Sequence, residues 1–191
     1  MKLPDNIVLA SASPRRQSIL TEMGIPFEVI IHNIEEDFPS TLRRHEVAMF
    51  LANKKAAAYD AEVNAGKTVI TADTIVCLGN TILNKPSGKT EAFEMLKSLS
   101  GTSHDVITAV CIRNKMHSDT FYSITAVEFA HLEDDEINFY IDQHRPFDKA
   151  GGYGIQEWIG MTGIRKIDGS YYNVVGLPAH EVYQRLKSLP R

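Results

Sequence analysis

The sequence predicts an α/β or α+β fold that contains a mixed β-sheet. Short apolar or β-branched runs alternate with segments that carry apolar residues at helical spacing along all 191 residues. Gly79-Asn80 and Asp168-Gly169 each separate two strand-like runs, as the turns of β-hairpins do. Helical segments join other strands. Hairpins and helical crossovers in one chain together favour a sheet with both parallel and antiparallel pairs.

The first third of the chain predicts two strands and two helices. Residues 7–10 form a short buried strand, and Ser13-Pro14 begins a helix, with the serine at the N-cap and the proline in the first turn. This helix ends at Gly24, where a chain can reverse easily. Residues 27–31 resemble a second strand. A longer helix is predicted over residues 41–62, because apolar side chains recur on one of its faces.

The middle of the chain predicts a central strand, a hairpin and a helix. Residues 68–78 are rich in β-branched side chains and predict the central strand. Gly79-Asn80 then turns the chain into a short strand over residues 81–83. Thr90 is a candidate N-cap for a helix that runs to Leu99 and ends at Ser100-Gly101.

The last part of the chain predicts a further strand pair, a helix, a glycine loop and a second hairpin. Residues 105–113 and 121–132 pair around a polar turn, and a helix over residues 134–143 ends before Pro146. The glycines of residues 151–154 indicate a flexible loop. Residues 163–175 form a hairpin across Asp168-Gly169, and a final helix starts near residue 178.

Composition excludes several classes of protein. The 20 basic and 24 acidic residues give a net charge of -4, which disfavours broad binding to nucleic acid. No apolar run approaches the roughly 18 residues that a membrane helix needs, and the N-terminus lacks a signal-peptide pattern, so cytoplasm is expected. Cys77 and Cys111 lie in apolar runs and predict buried thiols rather than a disulfide or a zinc site. A chain of this length predicts one domain, with room for two lobes that share a cleft.

The segment from Ser11 to Arg16 is the first that points to chemistry. Arg15 and Arg16 stand in the first turn of a predicted helix, where the helix dipole is already positive. The pattern makes sense if an anion binds there, held by backbone N–H groups, serine hydroxyls and a guanidinium group. A solvated arginine next to a second one that pairs with a carboxylate is the alternative.

Asp73 is the second candidate. An aspartate inside an apolar strand is costly unless it is paired or binds a metal ion. A rigid strand can present such a carboxylate as a general base or a cation ligand. A structural aspartate at the end of a sheet is the alternative interpretation.

Isolated charged residues and a glycine loop complete the candidates. Glu35 and Glu36 follow a strand, Lys55 lies on the predicted long helix, and Lys85 follows the first hairpin. Single lysines are usually only solvated. Residues 147–156 combine three glycines with aspartate, lysine, tyrosine and glutamine, which is typical of a loop that approaches a ligand closely. A plain flexible connection is the alternative for that loop.

These segments, in this order, resemble the Maf family of nucleoside triphosphate pyrophosphatases. The resemblance spans nearly the whole chain and is carried by residues 9–16, 72–74, 85–86, 99–101, 106–110, 148–156, 169–172 and 175–178. It implies a two-lobed α/β protein similar to the inosine triphosphate pyrophosphatases, with the cleft between the lobes, and a single catalytic domain over residues 1–191. Members of the family often form homodimers.

The resemblance also implies roles for individual residues. Asp73 matches the proton acceptor, and Glu36 is expected to help with the metal ion or the attacking water. A divalent cation, Mg²⁺ above Mn²⁺ or Co²⁺, is expected on these two carboxylates. The implied substrate-binding residues are Ser11, Arg15, Arg16, Lys55, Thr74, Lys85 and Gln156.

The same resemblance points to the substrate. Gln156 and the glycine loop before it resemble the branch that hydrolyses dTTP and UTP to the monophosphate and pyrophosphate. Pyrophosphatases of 7-methyl-GTP or of damaged purine nucleotides, and a non-catalytic regulator of cell division, are the alternatives. Many relatives carry glycine after this glutamine, whereas Glu157-Trp158 follows here, so the shape of the base pocket is the point most open to change.

Overall fold

The computed structural model describes residues 3–189, which build a seven-stranded sheet with helices between the strands. The strands are β1 (Ile7–Leu9), β2 (Glu28–Val29), β3 (Thr68–Leu78), β4 (Thr81–Leu83), β5 (Ser103–Arg113), β6 (Ser118–Phe129) and β7 (Ile164–Asp168). The helices are α1 (Pro14–Glu22), α2 (His45–Ala57), α3 (Asp60–Asn64), α4 (Lys89–Leu99), α5 (Asp134–His144), α6 (Trp158–Gly163), α7 (Tyr171–Val175) and α8 (Ala179–Ser188), with a short 3-10 turn at Ala150–Gly152.

The sheet is mixed, as predicted. Its strand order is β2-β1-β3-β5-β6-β7, and β4 pairs with β3 outside this path. β1 runs parallel to both β2 and β3, with Val8 opposite Val69. β3 and β4 are antiparallel, and so are β6 and β7. The parallel pairs require the helical crossovers α1 and α2, which the apolar spacing indicated.

The described residues divide into two compact units. The first contains the described residues up to Asp73, together with Thr108–Ser123 and the described residues from Gly176. The second contains Thr74–Ile107 and Ile124–Val175. The two lobes expected from the sequence correspond to these units, while a shared cleft and a single catalytic domain stay predictions.

Each unit has a hydrophobic cluster of its own. Val8, Tyr59, Val63 and Val69 form one in the first unit, between two strands and the helices that follow α1. The larger cluster of the second unit gathers side chains from α4, α5 and the glycine loop around Val127 and Phe129 of β6. Cys77 and Cys111 are both buried thiols, which confirms that prediction.

Several element boundaries differ from the sequence prediction. Ser13 occupies the N-cap of α1 but makes no side-chain capping bond. The predicted helix over residues 41–62 begins only at His45 and breaks near Tyr59 into α2 and α3. Thr90 lies inside α4, whose N-cap is Gly88, so its capping role was wrong.

The prediction of a second hairpin over residues 163–175 was also wrong. β7 is a strand, but its antiparallel partner is β6, and the residues after Asp168-Gly169 form the short helix α7. Asn173 explains the difference, because it is fully buried and its side-chain amide donates to the Val106 carbonyl and to Thr125 Oγ1, each at 3.0 Å. These tertiary bonds outweigh the local alternation of apolar residues. The helix α6 was not predicted at all.

The loop predicted to be flexible is instead well packed. Gly151, Gly152, Tyr153 and Gly154 are all buried. No helix among residues 3–189 has the length and apolar character needed to cross a membrane.

Candidate active site

Asp73 lies within β3 and is only 7% exposed. Two residues earlier on the same strand, the buried Thr71 hydroxyl donates to the Ala52 carbonyl of α2 at 2.8 Å. Residues two apart share one face of a strand, and residues three apart share one face of a helix. The bond therefore fixes the strand against the helix so that Asp73 faces Lys55.

Lys55 bridges two carboxylates. Its ammonium nitrogen lies 2.5 Å from Asp73 Oδ1 and 2.6 Å from Glu36 Oε1. The Lys55 and Asp73 side chains are 14% and 10% exposed, whereas the Glu36 side chain is 45% exposed. Ion pairs this poorly hydrated persist because each charge would otherwise be stranded in a medium of low dielectric constant. The three residues form one charged cluster, which we call the Asp73–Lys55–Glu36 cluster.

The surroundings of Asp73 shift its proton affinity. Burial raises the pKa of the Asp73 carboxyl above its ordinary value, and the negative charge of Glu36 acts in the same direction. Lys55 and Arg16 oppose this shift, because both are positive. A carboxylate whose pKa is raised by burial is a better proton acceptor at neutral pH than an exposed one.

Arg16, in the first turn of α1, connects the start of that helix to the strand residues next to this cluster. The Arg16 guanidinium donates to Ser11 Oγ at 3.2 Å, to the Ala72 carbonyl at 2.9 Å and to the Gly176 carbonyl at 2.8 Å. Ala72 precedes Asp73, so one guanidinium joins the helix start to the strand that carries the carboxylate. Ser11 Oγ also accepts the Ser13 N–H at 3.3 Å.

These bonds give Arg16 a structural role that the sequence did not predict. Burial lowers the pKa of its guanidinium, Asp73 opposes that shift, and the neighbouring positive charge of Arg15 adds to it. The first turn of α1 contains no acidic residue that could offset these charges. Two arginines at the positive end of a helix leave the region strongly attractive to anions.

The segment that carries Glu36 is fixed at both ends. The Tyr59 hydroxyl donates to the Ile30 carbonyl and accepts the His32 N–H, both at 3.0 Å. Beyond Glu36, the ammonium of Lys54 binds the side chain of Asp37. An irregular stretch is thereby held near α2, which explains how an exposed glutamate reaches Lys55.

The remaining predicted residues belong to the second unit. Thr74 follows Asp73 directly on β3, whereas Lys85 and Gln156 are exposed. The Asn84 carbonyl accepts the Gly151 N–H at 3.2 Å, which ties the chain beside Lys85 to the glycine loop. Gly151 has a φ of +71°, and a Cβ there would lie 3.0 Å from the Val76 side chain, so glycine is required. The structure thus groups six predicted residues in the first unit and three in the second.

The carboxylates of Asp73 and Glu36 are suitable ligands for a hard divalent cation. Mg²⁺ commonly uses one or two carboxylates and completes its shell with water and substrate phosphates. Both carboxylate groups reach the same ammonium, so they can face a common cation. Among residues 3–189, no group of three or more His, Cys, Asp or Glu side chains is placed to hold a metal ion without a substrate.

Sequence reasoning missed the residues that position the cluster. Thr71 and Tyr59 act through hydrogen bonds to backbone groups distant in sequence, at Ala52 and Ile30. A threonine in a β-branched strand and a tyrosine on an apolar helix face both match ordinary core patterns. The only signal was that each carries a hydroxyl which, once buried, needs a partner.

The chain is similar to known proteins over nearly its whole length. Residues 6–189 match the family described as Maf-like protein. The chain is 47% identical over 184 residues to a dTTP/UTP pyrophosphatase of Bacteroides fragilis strain YCH46, covering 96% of this chain and 95% of that protein. It is 48% identical over 177 residues to a dTTP/UTP pyrophosphatase of Flavobacterium psychrophilum, covering 93% and 91% of the two chains.

A solved structure shares the fold at low sequence identity. The HAM1 protein from Coxiella burnetii is similar with a TM-score of 0.51 and 15% identity, over 96% of this chain and 98% of that one. At this identity the similarity concerns the fold alone.

Proposed function

This chain belongs to the Maf-like protein family, and on that basis we propose that it hydrolyses dTTP and UTP to the nucleoside monophosphate and pyrophosphate. Relatives that share 47% and 48% of its residues over more than nine-tenths of the chain are named dTTP/UTP pyrophosphatases. The observation that carries the proposal is the Asp73–Lys55–Glu36 cluster, which places a buried carboxylate beside a cation.

The reaction breaks the bond between the α-phosphorus and the oxygen that bridges to the β-phosphate. A water oxygen attacks the α-phosphorus, and Asp73 accepts one proton of that water. The electron pair of the broken bond stays with the bridging oxygen, so pyrophosphate leaves. Because burial raises the pKa of Asp73, this carboxylate holds the proton more readily than an exposed one would.

During this reaction the Lys55 ammonium can bind either the carboxylates or a phosphate oxygen. Its ammonium contacts the carboxylates of Asp73 and Glu36, at 2.5 and 2.6 Å. A phosphate oxygen competes for the same ammonium, and its binding would release Asp73 to accept a proton. Fixed positive charge also offsets the negative charge that builds up on the leaving phosphates.

The start of α1 supplies the second set of phosphate contacts. Ser11 and Arg16 are already fixed by the hydrogen bond that the Arg16 guanidinium donates to Ser11 Oγ, so they cost little reorganisation when an anion binds. Arg15 and the backbone N–H groups of the first turn add donors there. Lys85 is proposed as a further residue that offsets phosphate charge.

The two carboxylates would hold a divalent cation together with the triphosphate, and we propose Mg²⁺, with Mn²⁺ or Co²⁺ as substitutes. When bound, the cation offsets the charge of the phosphate oxygens. Cytoplasmic location, expected from the sequence, and assembly as a homodimer, expected from the family resemblance, stay predictions.

Product identification tests the proposal. The purified protein is incubated with Mg²⁺ and, separately, dTTP, UTP, CTP, ITP and 7-methyl-GTP, and the products are resolved by anion-exchange chromatography. We expect monophosphate and pyrophosphate, with dTTP and UTP giving the highest kcat/KM. Release of diphosphate and orthophosphate would contradict the reaction, and a lead for 7-methyl-GTP or ITP would contradict the substrate.

A further inference from the structure

The Lys55 ammonium lies between the two carboxylates that are proposed to bind a divalent cation. Its nitrogen is 2.5 Å from Asp73 Oδ1 and 2.6 Å from Glu36 Oε1, so each carboxylate turns one oxygen towards the same point. A cation held by both carboxylates would need to lie close to that point, because carboxylate oxygens contact divalent ions directly. The place where the two carboxylates converge is thus taken by Lys55.

The charges around this point balance one another. The negative charges of Asp73 and Glu36 are offset by two positive ones, since Lys55 and Arg16 both act electrostatically on Asp73. Arg16 is fixed in place by three hydrogen bonds. A divalent cation that approaches alone therefore meets little net negative charge, and at short range the Lys55 ammonium repels it. The Asp73–Lys55–Glu36 cluster is a poor site for a cation on its own.

The Lys55 side chain can change its rotamer while the backbone of α2 stays in place. Lys55 stands in the last turn of α2, and a flexible chain of four carbon atoms carries its ammonium. The position of α2 against β3 is held separately, by the bond from the Thr71 hydroxyl to the Ala52 carbonyl. The ammonium is therefore a movable charge on a fixed helix.

We propose that Lys55 is a placeholder for the divalent cation, and that it excludes the cation from Asp73 and Glu36 until nucleotide phosphates draw the ammonium away. This inference rests on the proposed function, because the phosphates of the substrate are what compete for Lys55. When the ammonium turns to a phosphate oxygen, the two carboxylates regain their negative charge. Phosphate oxygens also complete the shell of ligands that two carboxylates leave unfilled. The protein thus takes up the cation together with the nucleotide rather than before it.

Such an exchange couples the binding of the cation to the binding of the nucleotide. If the nucleotide tightens cation binding by some factor, the cation tightens nucleotide binding by the same factor, because the binding free energies are linked. Without the charge of Lys55 the cation would bind before the nucleotide, and this factor would be smaller. The charge of Lys55 is therefore expected to determine how strongly the two ligands depend on each other.

The experiment measures the affinity of the protein for Mn²⁺ alone, from the electron paramagnetic resonance signal of the free ion, in the wild type and in Lys55→Met. Methionine keeps a long unbranched side chain and removes the charge. We expect Lys55→Met to bind Mn²⁺ roughly 10- to 100-fold more tightly than the wild type, the effect of removing one charge about 4 Å from a divalent ion in a medium close to water. This gain should disappear in the double variant Lys55→Met/Asp73→Asn, because the cation then loses one of its two carboxylates.

Lys54→Met is the matched control. Lys54 precedes Lys55 on α2, but its ammonium binds the side chain of Asp37, outside the cluster. Removal of this exposed ion pair should leave the affinity for Mn²⁺ within about twofold of the wild type. A gain confined to Lys55→Met would thus depend on the position of the charge and not on the net charge of the protein.

The coupling itself is measured with α,β-methylene-dTTP, whose carbon bridge prevents hydrolysis between the α- and β-phosphorus. Its dissociation constant is determined with and without Mn²⁺ for the wild type and for Lys55→Met. The association of Mn²⁺ with the free analogue is the same in both titrations and cancels in the comparison. The factor by which Mn²⁺ tightens binding of the analogue should be smaller in Lys55→Met than in the wild type.

Three results would overturn the proposal. One is a wild-type protein that binds Mn²⁺ alone as tightly as folded Lys55→Met does, and another is a gain in Lys55→Met that survives Asp73→Asn, which would place the cation elsewhere. The third needs no change at Lys55, and so decides the matter even if Lys55→Met does not fold by circular dichroism. The wild type and Asp73→Asn should bind Mn²⁺ equally weakly, and a clear loss of affinity in Asp73→Asn would show that Lys55 leaves the site open.

Failure of the proposed function would look different. A wild-type protein that releases no pyrophosphate from dTTP would contradict the proposed function. The affinities for Mn²⁺ alone are measured without nucleotide, so they test the placeholder role of Lys55 whatever the outcome of that assay.

Discussion

Replacement of Asp73 by asparagine removes the proposed proton acceptor and preserves the size of the side chain. Asp73 is 7% exposed, and its carboxylate lies 2.5 Å from the Lys55 ammonium. Loss of a general base typically lowers turnover by about 10²- to 10⁴-fold. At about 1.4 kcal/mol per factor of ten, this corresponds to about 2.7–5.5 kcal/mol of lost transition-state stabilisation.

The same substitution should leave the protein at least as stable as the wild type at pH 7. Because burial raises the pKa of Asp73 above 3.8, the folded protein binds this proton more tightly than the unfolded chain. The free energy of unfolding therefore falls as pH rises from 3.8 through the higher pKa of the folded state, and the penalty remains at neutral pH. Asparagine carries no such charge, and Lys55 keeps its contact with Glu36.

The assay follows dTMP release with time at saturating and at low dTTP, with Mg²⁺ present. kcat should fall while KM changes little, since the proposed phosphate-binding residues Ser11, Arg15 and Arg16 are intact. Asp60→Asn is the matched control, because Asp60 belongs to an exposed pair with Arg113 in the same unit, at 2.6 Å. Its turnover should stay within about twofold of the wild type.

The reasoning would be refuted by near wild-type turnover in folded Asp73→Asn. It would also be refuted if the variant unfolded at pH 7 under conditions where Asp60→Asn is stable, because the carboxylate would then be needed for the fold. A fall in kcat together with a thermal stability at least equal to that of the wild type is the combination that the charged cluster predicts.

Three further substitutions test Arg16, the buried His104 and the closely packed Gly160 of α6. Arg16→Ala removes donors to three oxygen atoms, and we expect a loss of about 2–4 kcal/mol, seen as a fall in Tm of roughly 5–15 °C; an unchanged Tm would show that the guanidinium serves substrate alone. Burial lowers the pKa of His104 from 6.5 to about 4, so the free energy of unfolding should decline by about 3 kcal/mol as pH falls from 6.5 towards 4. His104→Gln should make the free energy of unfolding less dependent on pH in this range. His131→Gln changes an exposed side chain and should leave that dependence as it is. A Cβ at Gly160 would lie 1.7 Å from the carbonyl oxygen five residues earlier, so Gly160→Ala should lower the free energy of unfolding, measured by chemical denaturation, by more than about 2 kcal/mol. Gly88 has open space around it, so Gly88→Ala should lower the same free energy by less than about 1 kcal/mol.

The sequence predicted the strands best where local and tertiary preferences agree. β3 has the predicted bounds, Thr68–Leu78, because its β-branched side chains suit a strand that is buried along most of its length. β4 and the tight turn before it follow for the same reason. In such places the chain needs no information from distant residues.

The starts of α1, α5 and α8 agree with the prediction, whereas those of α2 and α4 do not, because capping depends on side chains that can reach more than one backbone group. Before α4, Glu91 accepts the Ser87 N–H at 2.7 Å and the Ser87 hydroxyl at 2.6 Å, and this pair defines the start. Thr90 is an equally good capping residue by type. Only the geometry distinguishes the two solutions.

The candidate site was predicted as a set of residues but not as an arrangement. Asp73 and Arg16 were recognisable because a charge in an apolar strand, or at the positive end of a helix, contradicts local preference. That Lys55 contacts both carboxylates depends on how α2 lies against β3, which is set by the Thr71 hydroxyl. Glu157 departed from the family pattern, and Tyr140, whose hydroxyl donates to it, had no sequence signal beyond helical spacing.

The three bonds of Arg16 have a consequence for the order in which the protein matures during synthesis. Its partners are Ser11, Ala72 and Gly176, and the last of these lies 160 residues further along the chain. The anion-attracting helix α1 therefore leaves the ribosome early in synthesis. The three hydrogen bonds of Arg16 cannot all form until nearly all of the protein has been made. Contacts between such distant residues form late, because a long loop must close first. Premature termination before Gly176 would thus yield a polypeptide that contains every proposed catalytic residue and yet lacks the last acceptor that holds its phosphate-binding end in place.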